Sequence, residues 1–277
     1  MFGRVVQADN LDFLKKMESE SVDLIYTDPP FNTGKLQERS SIRVRRAETG
    51  SRKGFGGRSY EEVKVGSLAF GDRFDDYLAF LEPRLVEAHR VLRPHGTFYL
   101  HLDYREVHYC KILLDSIFGR DCFLNEIIWA YDYGGRSKRR WPAKHDNILV
   151  YVKDSCEYRF NEDAVDRIPY MAPSLVSAEK AAKGKLPTDT WWHTIVSPTG
   201  KEKTGYPTQK PIEILRRVIA ASSNEGDTVL DFFAGSGTTG AASLELGRNF
   251  ILVDTSDDAI EIMRRRFSGN PNVLFEP

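Results

Sequence analysis

The stretch of sequence that decides the fold is Thr228-Val229-Leu230-Asp231-Phe232-Phe233-Ala234-Gly235-Ser236-Gly237-Thr238-Thr239-Gly240. Its apolar first half predicts a buried strand, and its second half predicts a turn into a helix. Glycines let the backbone pass close beneath a ligand, and the helix that follows offers its N-terminal amides to that ligand. Seventeen residues after Gly237 the next predicted strand ends in Asp254, where a carboxylate can accept hydrogen bonds from ribose hydroxyls. The stretch therefore indicates a nucleotide-binding turn.

The spacing and position of the glycines narrow the fold. Gly235, Gly237 and Gly240 satisfy the dinucleotide pattern G-x-G-x-x-G, a weak signal on its own, so a nicotinamide-dependent oxidoreductase is one alternative. A P-loop is excluded because no lysine follows the glycines. Only 37 residues follow Gly240, so most strands of the sheet must come from the N-terminal side, an order that an oxidoreductase does not need. We expect a circularly permuted, Rossmann-like α/β fold with helices on both faces of the sheet.

A second motif, Asp28-Pro29-Pro30-Phe31, ends the predicted strand 22–27. We expect this strand beside the glycine-turn strand, with both opening onto the same edge of the sheet. Residues before proline are held extended, and the two prolines supply no N–H, so the corner is stiff and presents acceptors. A plain Asp-Pro turn at a strand end is the alternative.

The acceptors of this corner suit an exocyclic amine on adenine or cytosine. The Asp28 carboxylate and the Pro29 carbonyl could hold both N–H bonds and aim the nitrogen lone pair at an electrophilic methyl group. Asp28 would then stabilise the positive charge that develops on nitrogen, and Phe31 offers a ring for base stacking. No metal is required. A base inside a duplex is out of reach, so it would have to be flipped out.

Composition sets the broad class. The chain has 277 residues, 41% hydrophobic and 29% charged, which indicates a globular protein of one large domain or two small ones. Three cysteines without a CxxC pair argue against a disulfide framework and a Cys-rich zinc site. The first twenty residues contain no apolar core of a signal peptide, and the aliphatic stretches are too short to span a bilayer. We therefore expect a cytoplasmic protein without a membrane partner.

The net charge of −1 hides an uneven distribution. Residues 35–58 hold eight basic and two acidic side chains, a net of +6, and residues 134–145 hold five basic ones. The remaining 241 residues therefore carry −12. Two basic segments on an acidic body indicate a phosphate-binding cleft, although two solvated loops are the alternative. The candidate DNA-binding residues are Lys35, Arg43, Arg45, Arg46, Arg52, Lys53, Arg136, Lys138, Arg139 and Arg140.

Two irregular regions interrupt the predicted alternation of strands and helices. Residues 33–73 are rich in Gly, Arg and Ser without a sustained period, so we expect a long mobile basic loop there. Residues 154–205 are polar and proline-rich, which predicts a target-recognition lobe inserted between catalytic segments 1–153 and 206–277. Trp191-Trp192 in that lobe is either a local core or a wedge that contacts DNA. We interpret His101 and His108 as structural or surface residues.

Five segments together resemble the amino-group DNA methyltransferases of the permuted β class. They are Thr27-Asp28-Pro29-Pro30-Phe31-Asn32, Asp231-x-Phe233-x-Gly235-Ser236-Gly237-Thr238-Thr239, Tyr206-Pro207-Thr208-Gln209-Lys210-Pro211, Asn125-Glu126-Ile127-Ile128-Trp129 and His145-Asp146-Asn147-Ile148-Leu149. The resemblance covers most of the chain. It implies S-adenosylmethionine as cofactor and double-stranded DNA as substrate, and it permits a homodimer.

The resemblance also implies roles for individual residues. Asp28, Pro29, Pro30 and Phe31 would form the target-base corner. The cofactor-binding residues would be Asp9, Thr208, Lys210, Asp231, Phe233, Gly235, Ser236, Gly237, Thr238 and Asp254. Within this set, Asp231 matches the position near the methionine amino group and Asp254 the position at the ribose. Asp9 matches an acid that faces the adenine, with a helix N-cap as the alternative. Thr208 and Lys210 match positions near the methionine carboxylate, with a surface lysine as the alternative for Lys210.

The residue type at position 28, the first of the corner, indicates which base is the target. An Asp, rather than a Ser, resembles the adenine-N6 branch of the family more than the cytosine-N4 branch. Phe31 replaces the tyrosine common at its position and keeps the stacking ring. Cytosine N4, and an RNA or a protein amide as substrate, stay open as alternatives.

Overall fold

The structure, a computed structural model, describes residues 2–46, 52–53, 59–134, 137–197 and 200–277, and for 35–46, 52–53 and 59–71 it describes the backbone alone. Its strands are β1 (Gly3–Gln7), β2 (Val22–Thr27), β3 (Lys35–Arg46), β4 (Arg52–Lys53), β5 (Ser59–Asp72), β6 (Leu92–Leu102), β7 (Phe123–Ala130), β8 (His145–Val152), β9 (Thr190–Trp192), β10 (Thr228–Asp231), β11 (Asn249–Asp254) and β12 (Val273–Glu276). Its α-helices are α1 (Asn10–Lys16), α2 (Tyr77–Val91), α3 (Val107–Phe118), α4 (Ala178–Lys183), α5 (Ile212–Ser222), α6 (Thr238–Glu245) and α7 (Asp257–Arg266).

Nine strands form one sheet in the order β12-β1-β11-β10-β2-β6-β8-β7-β9. The strands from β12 to β6 are parallel neighbours, and β8 runs antiparallel to both β6 and β7. The glycine-turn strand β10 lies beside β2, with Val229 opposite Leu24 and Leu230 opposite Ile25. The expected pairing of the two motif-bearing strands is therefore confirmed. The circular permutation stays a prediction.

Helices cover both faces of the sheet, as the sequence predicts. Strand β2 shows why, because all six of its residues are buried and alternate residues enter different cores. Ile25 packs into the cluster that contains Leu81 of α2, whereas Leu24 and Tyr26 pack into the cluster that contains Leu215 of α5. A strand buried on both sides is held rigidly, and its carboxyl end is therefore a fixed platform for Asp28.

The prediction of an irregular loop over residues 33–73 is wrong in its secondary structure. The backbone of β3 pairs antiparallel with β5 from Lys35 opposite Asp72 to Arg46 opposite Tyr60, and β4 adds a short third strand. Strand pairing is non-local, so a ladder of backbone hydrogen bonds can form where a single segment has no hydrophobic period of its own.

The polar segment 154–205 is joined to the central sheet. Strand β9 pairs with β7, and Trp191 lies in the core cluster with Trp129 while being only 7% exposed. The local-core interpretation is thus confirmed for Trp191, whereas Trp192 is exposed. The division of the chain into a catalytic part and a recognition lobe stays a prediction. In the part of the chain that the structure describes, no helix combines the length and apolar character needed to cross a bilayer.

Candidate active site

The two sequence motifs meet in one cavity of about 360 Å³ at the carboxyl ends of β2, β10 and β11. This is the edge at which open α/β sheets bind ligands. The predicted site residues that line the cavity are Asp28, Pro29, Pro30, Phe31, Thr208, Lys210, Asp231, Phe233, Gly235, Ser236, Thr238 and Asp254. Two predicted cofactor residues, Asp9 and Gly237, do not line it.

The turn after β10 requires glycine at two positions. Gly235 has a φ of +50°, and a Cβ there would lie 2.9 Å from Cε1 of Tyr206, which also lines the cavity. Gly237 has a φ of +71°, and its Cβ would lie 2.8 Å from Cγ of Met263. Gly235 therefore forms a cradle in the cavity floor, while Gly237 lets α6 begin close to α7.

Two acidic side chains, Asp231 and Asp254, line the cavity together with Gly235 and form its acidic wall. Asp231 accepts hydrogen bonds from the Thr239 hydroxyl at 2.6 Å and from the Phe233 amide at 3.1 Å. Asp254 accepts a hydrogen bond from the Gly235 amide at 2.8 Å and so fixes the turn. Burial, with the neighbouring Asp28 and Asp254 charges, raises the pKa of Asp231 to about 7, and burial also raises the pKa of Asp254. Ionising these buried carboxyl groups is costly when no cation is nearby. They therefore favour a ligand that carries a positive charge.

The Asp28 corner holds one free acceptor. Oδ2 of Asp28 accepts a hydrogen bond from Nζ of Lys210, whose ammonium lies 4.9 Å from the centre of the Phe31 ring. Oδ1 of Asp28 is buried and has no hydrogen-bond partner among the described residues. An unpaired buried acceptor is destabilising, so this atom suits a donor that a ligand brings.

A buried hydrogen-bond network supports the corner from below. His101 is fully buried, its Nδ1 lies 2.6 Å from the Tyr26 hydroxyl, and its Nε2 lies 3.3 Å from Asp146. Tyr131 donates a hydrogen bond to the other oxygen of Asp146 at 2.9 Å. Burial acts to raise the pKa of Asp146, but its interactions with His101, Lys210 and Tyr131 together outweigh burial and the pKa is lowered. The structural interpretation of His101 is confirmed, and its ring also packs 5.9 Å from that of Phe31.

Asn32, for which the sequence predicted no role of its own, fixes the end of the motif. Asn32 has a φ of +54°, and its amide donates a hydrogen bond to Asp72 at 2.7 Å. Its side chain donates to Glu106 at 2.8 Å and accepts from the Phe74 amide at 3.1 Å. Asparagine tolerates the left-handed conformation better than most residues, which is the signal that could have identified this position.

Asp9 caps a helix. Its Oδ1 accepts hydrogen bonds from the amides of Leu11 and Asp12 at 2.9 and 3.1 Å, and its Oδ2 pairs with Arg84 at 3.2 Å. The N-cap alternative is therefore confirmed, and a contact between Asp9 and a cofactor stays a prediction.

The predicted DNA-binding residues fall into two groups. Lys35, Arg43, Arg45, Arg46, Arg52 and Lys53 lie on β3 and β4, where the structure describes backbone alone. Arg136 lies outside the described residues. Lys138, Arg139 and Arg140 are exposed on the connection between β7 and β8. That connection lies at the edge onto which the cavity opens, because Asn147 at the start of β8 pairs with Leu102 at the end of β6.

Among residues whose side chains the structure describes, no group of three or more His, Cys, Asp or Glu side chains could hold a metal ion.

Comparison with known proteins identifies the family. A family model described as DNA methylase, of the N6/N4 type, matches residues 22–265. The Type II methyltransferase M.HpaI of Haemophilus parainfluenzae is 32% identical over 269 residues, which cover 97% of this chain and 75% of the relative. The DNA adenine methyltransferase YhdJ of Escherichia coli is 32% identical over 270 residues, which cover 95% of this chain and 81% of the relative.

A solved structure has the same fold. The crystal structure of an M1.HpyAVI–SAM complex matches with a TM-score of 0.62 at 22% identity, covering 96% of this chain and 98% of that one. The family match spans both motifs and the cavity between them, and it excludes the oxidoreductase alternative. The chain belongs to the N6/N4 DNA methylase family.

Proposed function

We propose that this chain transfers a methyl group from S-adenosylmethionine to the exocyclic N6 of adenine in double-stranded DNA. The observation that carries the proposal is that the Asp28 corner and the Gly235 turn open into one cavity. A methyl group can therefore pass directly between a ligand on the turn and a base on the corner.

The cavity fits the cofactor by shape and by charge. The glycine cradle admits a ligand close to the backbone, and the acidic wall of Asp231 and Asp254 suits a ligand with a cationic amino group. Asp231 would hold the amino group and Asp254 the ribose, while Thr208 and Lys210 would face the carboxylate. Phe233, Ser236 and Thr238 would complete the wall. When bound, the cofactor supplies an electrophilic methyl group on a sulfonium.

The corner prepares the acceptor nitrogen. Asp28 Oδ1 and the Pro29 carbonyl would accept the two N–H bonds of the amine, and the Phe31 ring would stack on the base. The nitrogen lone pair would thus face the methyl group that the cofactor supplies. Asp28 would stabilise the positive charge that develops on nitrogen until one N–H proton is released to water.

Duplex DNA is the proposed partner. Lys138, Arg139 and Arg140 are exposed at the edge onto which the cavity opens, where they would neutralise phosphates while the target base is flipped out. Because one copy of the chain carries both the Asp28 corner and the Gly235 turn, the reaction does not require a homodimer.

Adenine is favoured over cytosine by two observations. The corner begins with Asp28, and YhdJ, which is 32% identical, is named a DNA adenine methyltransferase. Cytosine N4 is the second candidate, since the family model spans both chemistries.

The test is to treat unmodified duplex DNA with the protein and S-adenosylmethionine, digest the DNA to nucleosides and identify the modified base by mass spectrometry. We expect N6-methyladenine. N4-methylcytosine would select the second candidate, and methylation of competing RNA in preference to DNA would contradict the choice of substrate. Asp28→Ala should abolish methylation while the variant still binds the cofactor, and an active Asp28→Ala enzyme would refute the mechanism.

A further inference from the structure

Lys210 is bonded to Oδ2 of Asp28, the carboxylate whose other oxygen, Oδ1, the proposed function gives to the target amine. Its ammonium donates a hydrogen bond to Asp28 and lies 4.9 Å from the centre of the Phe31 ring. Both side chains are largely buried, at 11% exposed for Lys210 and 15% for Asp28. An ammonium on Oδ2 offsets the negative charge that Asp28 would offer to the target amine, and it also lies beside the Phe31 ring on which the base would stack. Lys210 on Asp28 therefore opposes productive binding of the target base.

The cavity also offers the Lys210 ammonium a second kind of partner, a carboxylate on a ligand. Of the described residues that line it, Lys210 is the sole lysine or arginine, whereas Asp28, Asp72, Asp231 and Asp254 are all carboxylates. A ligand that carries a carboxylate of its own therefore meets one cation in this wall, and that cation is already held by Asp28.

We propose that Lys210 is a gate on the acceptor site: it stays on Asp28 until the carboxylate at the amino-acid end of the cofactor draws it away. The inference rests on the proposed function and adds an order of events to it. A lysine ammonium on a flexible four-carbon stem can exchange one carboxylate for another by rotation of the side chain alone. When Lys210 leaves, both oxygens of Asp28 become available to the flipped base.

In this scheme the Asp28 carboxylate and the carboxylate of the cofactor compete for the Lys210 ammonium. Calorimetry can measure this competition without DNA. The probes are S-adenosylhomocysteine, which has the amino-acid end, and 5′-methylthioadenosine, which lacks it. Binding is measured to the full chain and to Asp28→Asn, Lys210→Met and the double variant. Lys210→Gln serves as a second neutral variant, and Lys201→Met is a control, because Lys201 is exposed and does not line the cavity.

We expect Asp28→Asn to bind S-adenosylhomocysteine about three- to tenfold more tightly, because Lys210 no longer has to leave a carboxylate. Lys210→Met and Lys210→Gln should weaken this binding by about tenfold. In the Lys210→Met background, Asp28→Asn should give no gain. Binding of 5′-methylthioadenosine should be the same in all variants, and Lys201→Met should match the parent chain.

Three results would overturn the gate. Unchanged or weaker binding of S-adenosylhomocysteine by Asp28→Asn would mean that Lys210 and Asp28 do not exchange partners. A gain that persists without Lys210 would mean simple repulsion between Asp28 and the ligand carboxylate. Equal changes with 5′-methylthioadenosine would mean that the substitutions altered the cavity as a whole. If neither ligand binds the unaltered chain, the proposed function itself fails.

Discussion

The hydroxyl of Tyr26 lies 2.6 Å from Nδ1 of His101, and both side chains are almost completely buried. Tyr26 stands two residues before Asp28 on β2, and His101 lies near the end of β6, the next strand in the sheet. The bond therefore ties two neighbouring strand ends together directly below the target-base corner. Buried polar networks that are fully paired are rigid, because each missing partner is costly.

Replacement of His101 should be destabilising. His101→Phe keeps a ring of similar size but leaves Tyr26 and Asp146 without their shared partner, so we expect a loss of about 2–4 kcal/mol in the free energy of unfolding. Urea denaturation measures this loss. His108→Phe is the matched control, since His108 is exposed, and it should change stability by less than about 0.5 kcal/mol. Equal effects of the two substitutions would contradict a supporting role for the network.

Asn32 should respond to glycine and alanine differently. Its φ of +54° is accessible to glycine, whereas alanine there is strained by about 1–2 kcal/mol. Both substitutions remove the side-chain hydrogen bonds to Glu106 and Phe74. We therefore expect stability, measured by urea denaturation, to decrease from Asn32 to Asn32→Gly to Asn32→Ala. Methylation rates should follow the same order, and equal loss in both variants would mean that the left-handed conformation is not required.

Asp231 should give the protein a distinctive dependence on pH. Burial raises the pKa of Asp231 from 3.8 to about 7 in the folded chain, so between these values the folded state keeps a proton that the unfolded state has released. The contribution of Asp231 to stability is therefore full at low pH and is lost as the pH rises towards 7. The stability of the parent chain relative to Asp231→Asn should fall across this range. A difference that is constant with pH would contradict the raised pKa.

Binding of S-adenosylhomocysteine should change in the opposite direction. The proposed contact with the ligand's ammonium needs an ionised Asp231, so affinity should rise as the pH increases through about 7. Calorimetry at several pH values tests this expectation. Asp231→Asn should bind weakly with a flat profile over the same range, and an unchanged profile would place the amino group elsewhere.

The parts of the fold that could be predicted from sequence are those with a strong local signal. Strand β2 has the predicted bounds and strand β11 ends at the predicted Asp254, since each holds a run of at least three apolar residues and ends at a polar one. Strand β12 was missed because four residues near the end of the chain carry little periodic signal. Strand β9 has three residues and exists through its pairing with β7, which no local pattern reveals.

The candidate site likewise contains residues that could be predicted from the sequence and contacts that could not. Asp28 and Gly235 were predictable because a stiff proline corner and a glycine turn are local backbone features. The ion pair of Lys210 with Asp28 joins residues 182 positions apart, and the contact of Asn32 with Glu106 joins residues 74 apart. Such contacts depend on the order of the strands in the sheet. The sequence alone therefore predicted neither the contact of Lys210 with Asp28 nor the contact of Asn32 with Glu106.

The basic connection between β7 and β8 should contribute to DNA affinity through charge. Lys138 and Arg139 are exposed at the cavity edge, so replacement of both by Gln should weaken duplex binding and make it less sensitive to salt. If each contacts one phosphate, the slope of log affinity against log salt should become shallower by about 0.9 per lost contact. Fluorescence anisotropy with a labelled duplex at several salt concentrations measures both quantities.

A matched control comes from the opposite edge of the sheet. Lys15 and Lys16 are also exposed and adjacent, but they end α1, which begins after β1 and runs back across the sheet away from the cavity. Replacing both by Gln removes the same charge, so an effect of net charge alone would be equal in the two double variants. We expect the salt slope to change for Lys138 and Arg139 and to stay the same for Lys15 and Lys16. Equal slopes would mean that DNA does not approach the cavity along the connection between β7 and β8.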